Sequence, residues 1–76
     1  TQALEKIGCS VYDASEFGGG FPDIVVGRAN KCWLLEIKSS PKAKLRPEQI
    51  EFRDSWNGNY AVVHTPMEAI KAVTNG

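Results

Sequence analysis

The spacing of apolar positions changes along the chain, and each change marks an element. Leu4 and Ile7 lie three apart on one helical face, so Thr1 to Ile7 reads as the tail of a helix with Gly8 as its stop. Val11 and Tyr12 suit a pleated surface and place a short strand at Ser10 to Ala14. Phe17-Gly18-Gly19-Gly20 reads as a flexible loop, and Phe21-Pro22 forces an extended entry to the next segment, because the residue before proline avoids the helical region. Asp23 to Val26 is then a strand, and Gly27 to Lys31 a turn. Cys32 to Lys38 is the next strand. Its run Cys32-Trp33-Leu34-Leu35 predicts burial on both faces.

Ser39 to Leu45 is a polar loop. Proline at the first helical position and an acid beside it start a helix at Arg46-Pro47-Glu48-Gln49. Arg46 is a poor N-cap where Ser, Thr or Asp is usual. The helix runs to about Trp56, Phe52 and Trp56 share a face, and Gly58 is placed to end it. Tyr60 to His64 is a strand. Thr65-Pro66 opens a last helix with Ala69, Ile70 and Val73 facing inward. The order is α-β-β-β-α-β-α, an α/β or α+β arrangement of about four strands flanked by helices. The stretch between Lys38 and Tyr60 is long enough for a crossover, so the Glu36 and Tyr60 strands are expected as parallel neighbours.

Composition narrows the class. Seventy-six residues make one domain near the lower limit for a self-sufficient core. Two cysteines, Cys9 and Cys32, match neither a disulfide framework nor a zinc pattern, and are expected to serve as reduced, small apolar residues in a cytoplasmic protein. No apolar run approaches a membrane span and no signal peptide is visible. The chain enters its first helix directly at Thr1, so that helix is expected to begin before Thr1. Nine Lys plus Arg balance nine Asp plus Glu, unlike a strongly basic DNA-binding module. Yet from Lys38 to Arg46 there are four bases (Lys38, Lys42, Lys44 and Arg46) and no acid. A solvated loop is the usual meaning of such a run; contact with phosphates is the other.

That run begins at the chemistry. Asp23 opens one strand, and Glu36 and Lys38 close the next, two apart and therefore on one face, with Ile37 pointing the other way into the core. Two carboxylates suffice for Mg²⁺ or Mn²⁺, hard cations that take oxygen ligands and keep several waters. The Ile37 backbone carbonyl offers a third oxygen. Lys38 would orient an attacking water, offset charge developing on a phosphate, or act as general base. Pro-Asp followed by Glu-x-Lys arises by chance on the order of once in a hundred chains this long, so the pattern alone is a loose one. A surface ion pair between Glu36 and Lys38 is the plain alternative. It is weakened because Glu36 follows four apolar strand residues, where an acid is costly without a partner or a metal.

Phe21-Pro22-Asp23-Ile24-Val25-Val26-Gly27, Leu34-Leu35-Glu36-Ile37-Lys38-Ser39 and Leu45-Arg46-Pro47-Glu48-Gln49-Ile50-Glu51-Phe52 together resemble the PD-(D/E)XK nuclease superfamily. They are closest to the small stand-alone VRR-NUC-like nucleases of bacteriophages. The similarity runs from about Leu4 to Val73, and the Leu-x-Pro-x-Gln-x-x-Phe helix start makes it more specific than Glu-x-Lys alone. The resemblance implies a restriction-endonuclease-like core with a mixed sheet. It implies Asp23 and Glu36 as metal ligands, Lys38 as the catalytic lysine, and Gln49 facing the site. Relatives often form homodimers, and some cut branched DNA such as Holliday junctions. Many relatives also bring a Glu from the first helix to the metal. Here only Glu5 is available, close to the helix end, and the matching position is expected ahead of Thr1.

Two function classes emerge. The first is a metal-dependent DNA endonuclease with Asp23, Glu36, Lys38 and Gln49 in its site, and with Ser39, Ser40, Lys42, Lys44 and Arg46 available to phosphates. A homodimer is expected, because so short a chain buries little surface alone and cutting two strands takes two sites. The second is a non-catalytic module of the same fold that binds DNA or a protein partner. Ser39 and Ser40 also read as turn residues, His64 as structural, and Trp33 and Trp56 as core or dimer-interface residues with base stacking as the alternative. The glycine run lacks the phosphate-loop pattern.

Overall fold

The computed structural model of the chain describes residues 2–75. Thr1, where the first helix is expected to enter, lies outside the described residues. Seven elements appear in the expected order. They are α1 (Gln2–Lys6), β1 (Ser10–Asp13), β2 (Ile24–Arg28), β3 (Lys31–Ile37), α2 (Pro47–Ser55), β4 (Asn59–Val63) and α3 (Pro66–Thr74). The strands form one mixed sheet in the order β1-β2-β3-β4. The first two pairings are antiparallel, and β3 and β4 run parallel, joined by the crossover through α2. The fold is α+β. No helix among the described residues is long and apolar enough to cross a membrane.

The hydrophobic core lies on one face of this sheet. Ile24 and Val26 of β2, Trp33 and Leu35 of β3 and Val63 of β4 pack there against Leu4 of α1 and Ala69 and Val73 of α3. Alternation along β3 sends Leu34 and Glu36 to the opposite face, which α2 covers. Trp33, Leu34, Leu35 and Glu36 are all buried, as a strand covered on both sides requires. Gly8 ends α1 in the left-handed region at φ 91°, and the Cys9 N–H reaches back to the Leu4 carbonyl at 3.1 Å. This is the glycine stop with paired carbonyls that a helix end needs. At α3 the Thr65 hydroxyl accepts from the Glu68 N–H, satisfying one of the orphan donors of the first turn.

α2 is attached differently. Its sequence PEQIEFRDS offers few apolar side chains, and its buried residue is Gln49. Phe52 meets Phe21 at 5.2 Å and Tyr60 at 6.3 Å between ring centroids. Gly20, left-handed at φ 83°, lies so close that a Cβ there would overlap the Glu48 carbonyl. The glycine loop is thus a shaped support for the start of α2.

Several local expectations are corrected. The turn between β2 and β3 is only Ala29-Asn30, both left-handed at φ 52° and 63°, and Gly27 belongs to the strand. Cys9 is a buried apolar thiol, but Cys32 is exposed, because it faces the α2 side where the helix does not reach. Ile37 does point away from Glu36, yet it is 40% exposed, because β3 ends there beyond the edge of the core. Gly58 does not take the left-handed conformation of a helix stop; α2 ends with Trp56 in extended backbone, and the absent Gly58 side chain leaves room for the Trp56 ring. Trp33 is core, whereas Trp56 is 43% exposed and stacks on Phe52.

The hairpin turn generates a prediction. Alanine tolerates the left-handed region poorly, while Asn-Gly is the preferred pair for a two-residue hairpin of this hand. Ala29→Asn combined with Asn30→Gly should stabilise the fold by about 1 kcal/mol and raise the thermal midpoint by roughly 4–8 °C. Thermal denaturation followed by circular dichroism checks it, and an unchanged or lower midpoint would contradict it.

Candidate active site

β2 begins where β3 ends, so antiparallel pairing brings Asp23, just before β2, beside Glu36 and Ile37. The Asp23 Oδ2 accepts a hydrogen bond from the Ile37 N–H at 2.7 Å. In extended backbone the N–H and C=O of one residue open to the same edge, so the Ile37 carbonyl is turned toward the Asp23 side. Lys38 comes directly after β3 and is held by its own N–H donating to the Val63 carbonyl at 3.0 Å.

Gln49 ties these groups to α2. Its Nε2 donates to Glu36 Oε2 at 3.2 Å, and its Oε1 accepts from Lys38 Nζ at 3.0 Å. The same oxygen accepts from the Arg46 N–H at 2.8 Å. The last contact explains how α2 starts on an arginine, because the glutamine three residues on satisfies the backbone donor at the helix start. Lys38 Nζ also lies 3.7 Å from Glu36 Oε2.

Glu36 is 2% exposed, and its Oε1 has no hydrogen-bond partner. Burial is the largest influence on its carboxyl and the Asp23 carboxyl beside it adds to that, raising the pKa from the ordinary 4.5 to about 7 against the opposing pull of Lys38 and Arg46. Tyr60, also raised by burial and by Glu36, closes the site on the β4 side. Two crowded carboxyl groups, one with a buried oxygen left over, form a donor set suited to a divalent cation. Asp23, Glu36 and the Ile37 carbonyl would hold it. Among the described residues no three His, Cys, Asp or Glu side chains cluster tightly enough to form an all-side-chain metal site, so the backbone oxygen is part of the fit.

Beside Asp23 and Ile37 opens a groove of about 380 Å³, also lined by Glu5, Asp13 and Ser15. Glu5, the first-helix acid available here, therefore faces the same groove as Asp23, although the position matching the family's acid is expected ahead of Thr1; the pairing of β1 with β2 brings the two together. Asp13 is already engaged, accepting from both the N–H and the hydroxyl of Ser15, which hold its carboxyl below the ordinary range. Of the candidate phosphate contacts, Ser39, Lys42, Lys44 and Arg46 are exposed, and Ser40 is half-buried. Ser40 shapes the loop by accepting from the Lys42 N–H at 3.1 Å. Arg46 pairs with Glu48 at 3.2 Å in solvent. His64 is engaged by Glu68, its Nδ1 2.9 Å from that carboxylate.

No family model matches the chain, and neither a curated protein nor a solved structure matches it.

Two predictions rest on this geometry. Between pH 4.5 and 7 the folded chain keeps a proton on Glu36 that the unfolded chain releases. Stability from this group is therefore greatest below pH 4.5, falls as pH rises toward 7, and levels off above it. In EDTA, Glu36→Gln should abolish that decline and melt higher than the parent at pH 8; a parental slope in the variant would contradict the assignment. Gln49→Ala removes three hydrogen bonds, two of them to charged groups, and should cost about 2–3 kcal/mol in urea denaturation. A loss within error of zero would show that α2 does not depend on this contact.

Proposed function

We propose that the chain is a Mg²⁺- or Mn²⁺-dependent endonuclease that hydrolyses DNA phosphodiester bonds, a member of the PD-(D/E)XK superfamily similar to the small VRR-NUC-like nucleases. Branched DNA is its proposed substrate, a homodimer its working form, and the cytoplasm of a bacterial or phage-infected cell its setting. The observation that carries the reading is the buried Glu36, with one oxygen unpartnered, beside Asp23 and within reach of Lys38 and Gln49. A plain surface ion pair does not account for a carboxyl closed off from water and crowded by a second one.

When bound, a divalent cation would lower the pKa of a coordinated water and stabilise charge on the phosphate. The chain's own groups do the rest. Asp23 is oriented by the Ile37 N–H, which fixes one carboxylate relative to β3. Glu36 is fixed by Gln49, leaving its second oxygen directed at the shared site. Lys38 donates to the Gln49 amide oxygen and faces the Glu36 carboxyl. From this position Lys38 orients the attacking water and offsets charge on the phosphoryl oxygens. Lys42, Lys44 and Arg46 supply phosphate contacts along the backbone of the substrate.

The test is cleavage of labelled duplex, single strand, flap and four-way junction with Mg²⁺ or Mn²⁺. Lys38→Ala should slow cutting at least about a hundredfold while leaving DNA binding in place. Asp23→Ala and Glu36→Ala should abolish Mn²⁺ binding in calorimetry. Absence of Mn²⁺ binding by the parent chain would sink the enzyme reading and favour the non-catalytic module.

A further inference from the structure

Four aromatic rings form a continuous row beside the candidate site. Phe17 meets Phe21 at 5.0 Å, Phe21 meets Phe52 at 5.2 Å, and Phe52 stacks on Trp56 at 5.6 Å with planes 16° apart. The row is joined to the site at two points. Phe21 precedes Pro22-Asp23, and Phe52 lies one helical turn beyond Gln49. Its inner rings are half-buried, but its ends are open: Phe17 is 75% exposed and Trp56 43%.

An exposed phenylalanine at the tip of a loop is unfavourable unless something covers it. Here the exposure is built in. Gly18, Gly19 and Gly20 all adopt left-handed backbone, and Gly20 is packed against Glu48. The loop is thereby anchored on α2 and presents Phe17 outward from a supported base. The charges around it select the occupant. Lys42, Lys44 and Arg46 lead into the helix that carries Phe52 and Trp56; of the three acids on that helix, Glu48 and Asp54 are each paired with an arginine, and Glu51 is exposed. Aromatic faces beside a basic segment match a nucleic-acid strand whose bases are free to stack and whose phosphates need cations. Duplex bases do not fit, because their faces are already stacked on one another.

We propose that the Phe17–Phe21–Phe52–Trp56 row is a stacking platform for unpaired bases next to the scissile phosphate, so that the chain engages DNA through single-stranded nucleotides. The inference deepens the nuclease reading and rests on it for the identity of the scissile bond. Base stacking itself requires neither metal nor cleavage, which lets the two be tested apart.

Fluorescence anisotropy in the Lys38→Ala background, without metal, measures binding of a labelled short oligothymidine and of a hairpin duplex. Phe17→Ala should weaken oligothymidine binding about tenfold and leave duplex binding within about twofold. Phe17→Trp should restore affinity and report stacking through quenched tryptophan emission. Equal affinities of the Phe17→Ala variant and the parent for oligothymidine would overturn the platform. So would equal losses on both DNAs, or no oligothymidine binding by the parent. Sedimentation completes the test: a Phe17→Ala shift from dimer to monomer with DNA affinity unchanged would make the row an interface between copies and overturn the proposal. Phe17-dependent binding in a chain that cuts nothing would uphold the platform while removing the nuclease reading; metal-dependent cutting with oligothymidine binding unaffected by Phe17→Ala would do the reverse.

Discussion

Glu36 needs an answer to its own burial, and much of the second face of the sheet is organised around supplying one. A carboxyl closed off from water at the end of an apolar strand loses hydration that only partners can replace. Gln49 replaces part of it from α2, Lys38 adds an opposite charge from the end of the same strand, and one oxygen is left over. The contact works in both directions. α2 has little apolar surface to seat it, so the amide that satisfies Glu36 is also what seats the helix. The same side chain closes the helix start at Arg46. Stability and the candidate site are therefore coupled through one residue, in contrast to α3, whose Ala69 and Val73 pack into the apolar core.

The two faces of the sheet divide these tasks. α1 and α3 close an apolar core over Ile24, Val26, Trp33, Leu35 and Val63. The α2 face carries a glutamine, a glutamate, a lysine and aromatic rings. Antiparallel pairing puts the Asp23 end of β2 beside the Glu36 end of β3, and the crossover to β4 returns α2 over that end. The hairpin turn at Ala29-Asn30 lies at the far end, roughly 20 Å along the strand. Changes to the turn act on folding alone, whereas changes on α2 act on folding and site together.

Much of this was legible in the residues because it depends on short-range rules. Period and punctuation marked out the seven elements in order, and Gly8 as a stop comes from local backbone freedom. The same-face placement of Glu36 and Lys38 comes from the period of a strand. What stayed hidden depends on tertiary extent. Whether Ile37 is covered turns on where α3 begins relative to β3, and whether Cys32 is covered turns on the reach of α2. The two-residue turn was missed because Ala29-Asn30 is a weak signal for left-handed backbone. Glu5 is the available first-helix acid, but its nearness to Asp23 was not legible, because it arises only when β1 pairs with β2 and carries α1 along.

The aromatic row belongs to the same class of hidden feature, and it clarifies the glycine run. Read along the chain, three glycines between two phenylalanines signal freedom. In the fold they signal restriction: each takes a backbone conformation that a side chain would resist, and Gly20 fits where no Cβ does. The close approach to Glu48 binds the loop to the same helix turn that Gln49 binds to the sheet. Asp23 therefore lies just after a segment braced on α2, and Glu36 is held by a residue of α2, although the two acids come from different strands. A shift of α2 would move both carboxylates relative to each other and tilt the Phe52 and Trp56 rings it carries. A helix whose buried residue is a glutamine thus helps to hold the candidate metal ligands that the β2–β3 register brings together, and polar contacts of defined direction suit that task better than a greasy face that tolerates sliding.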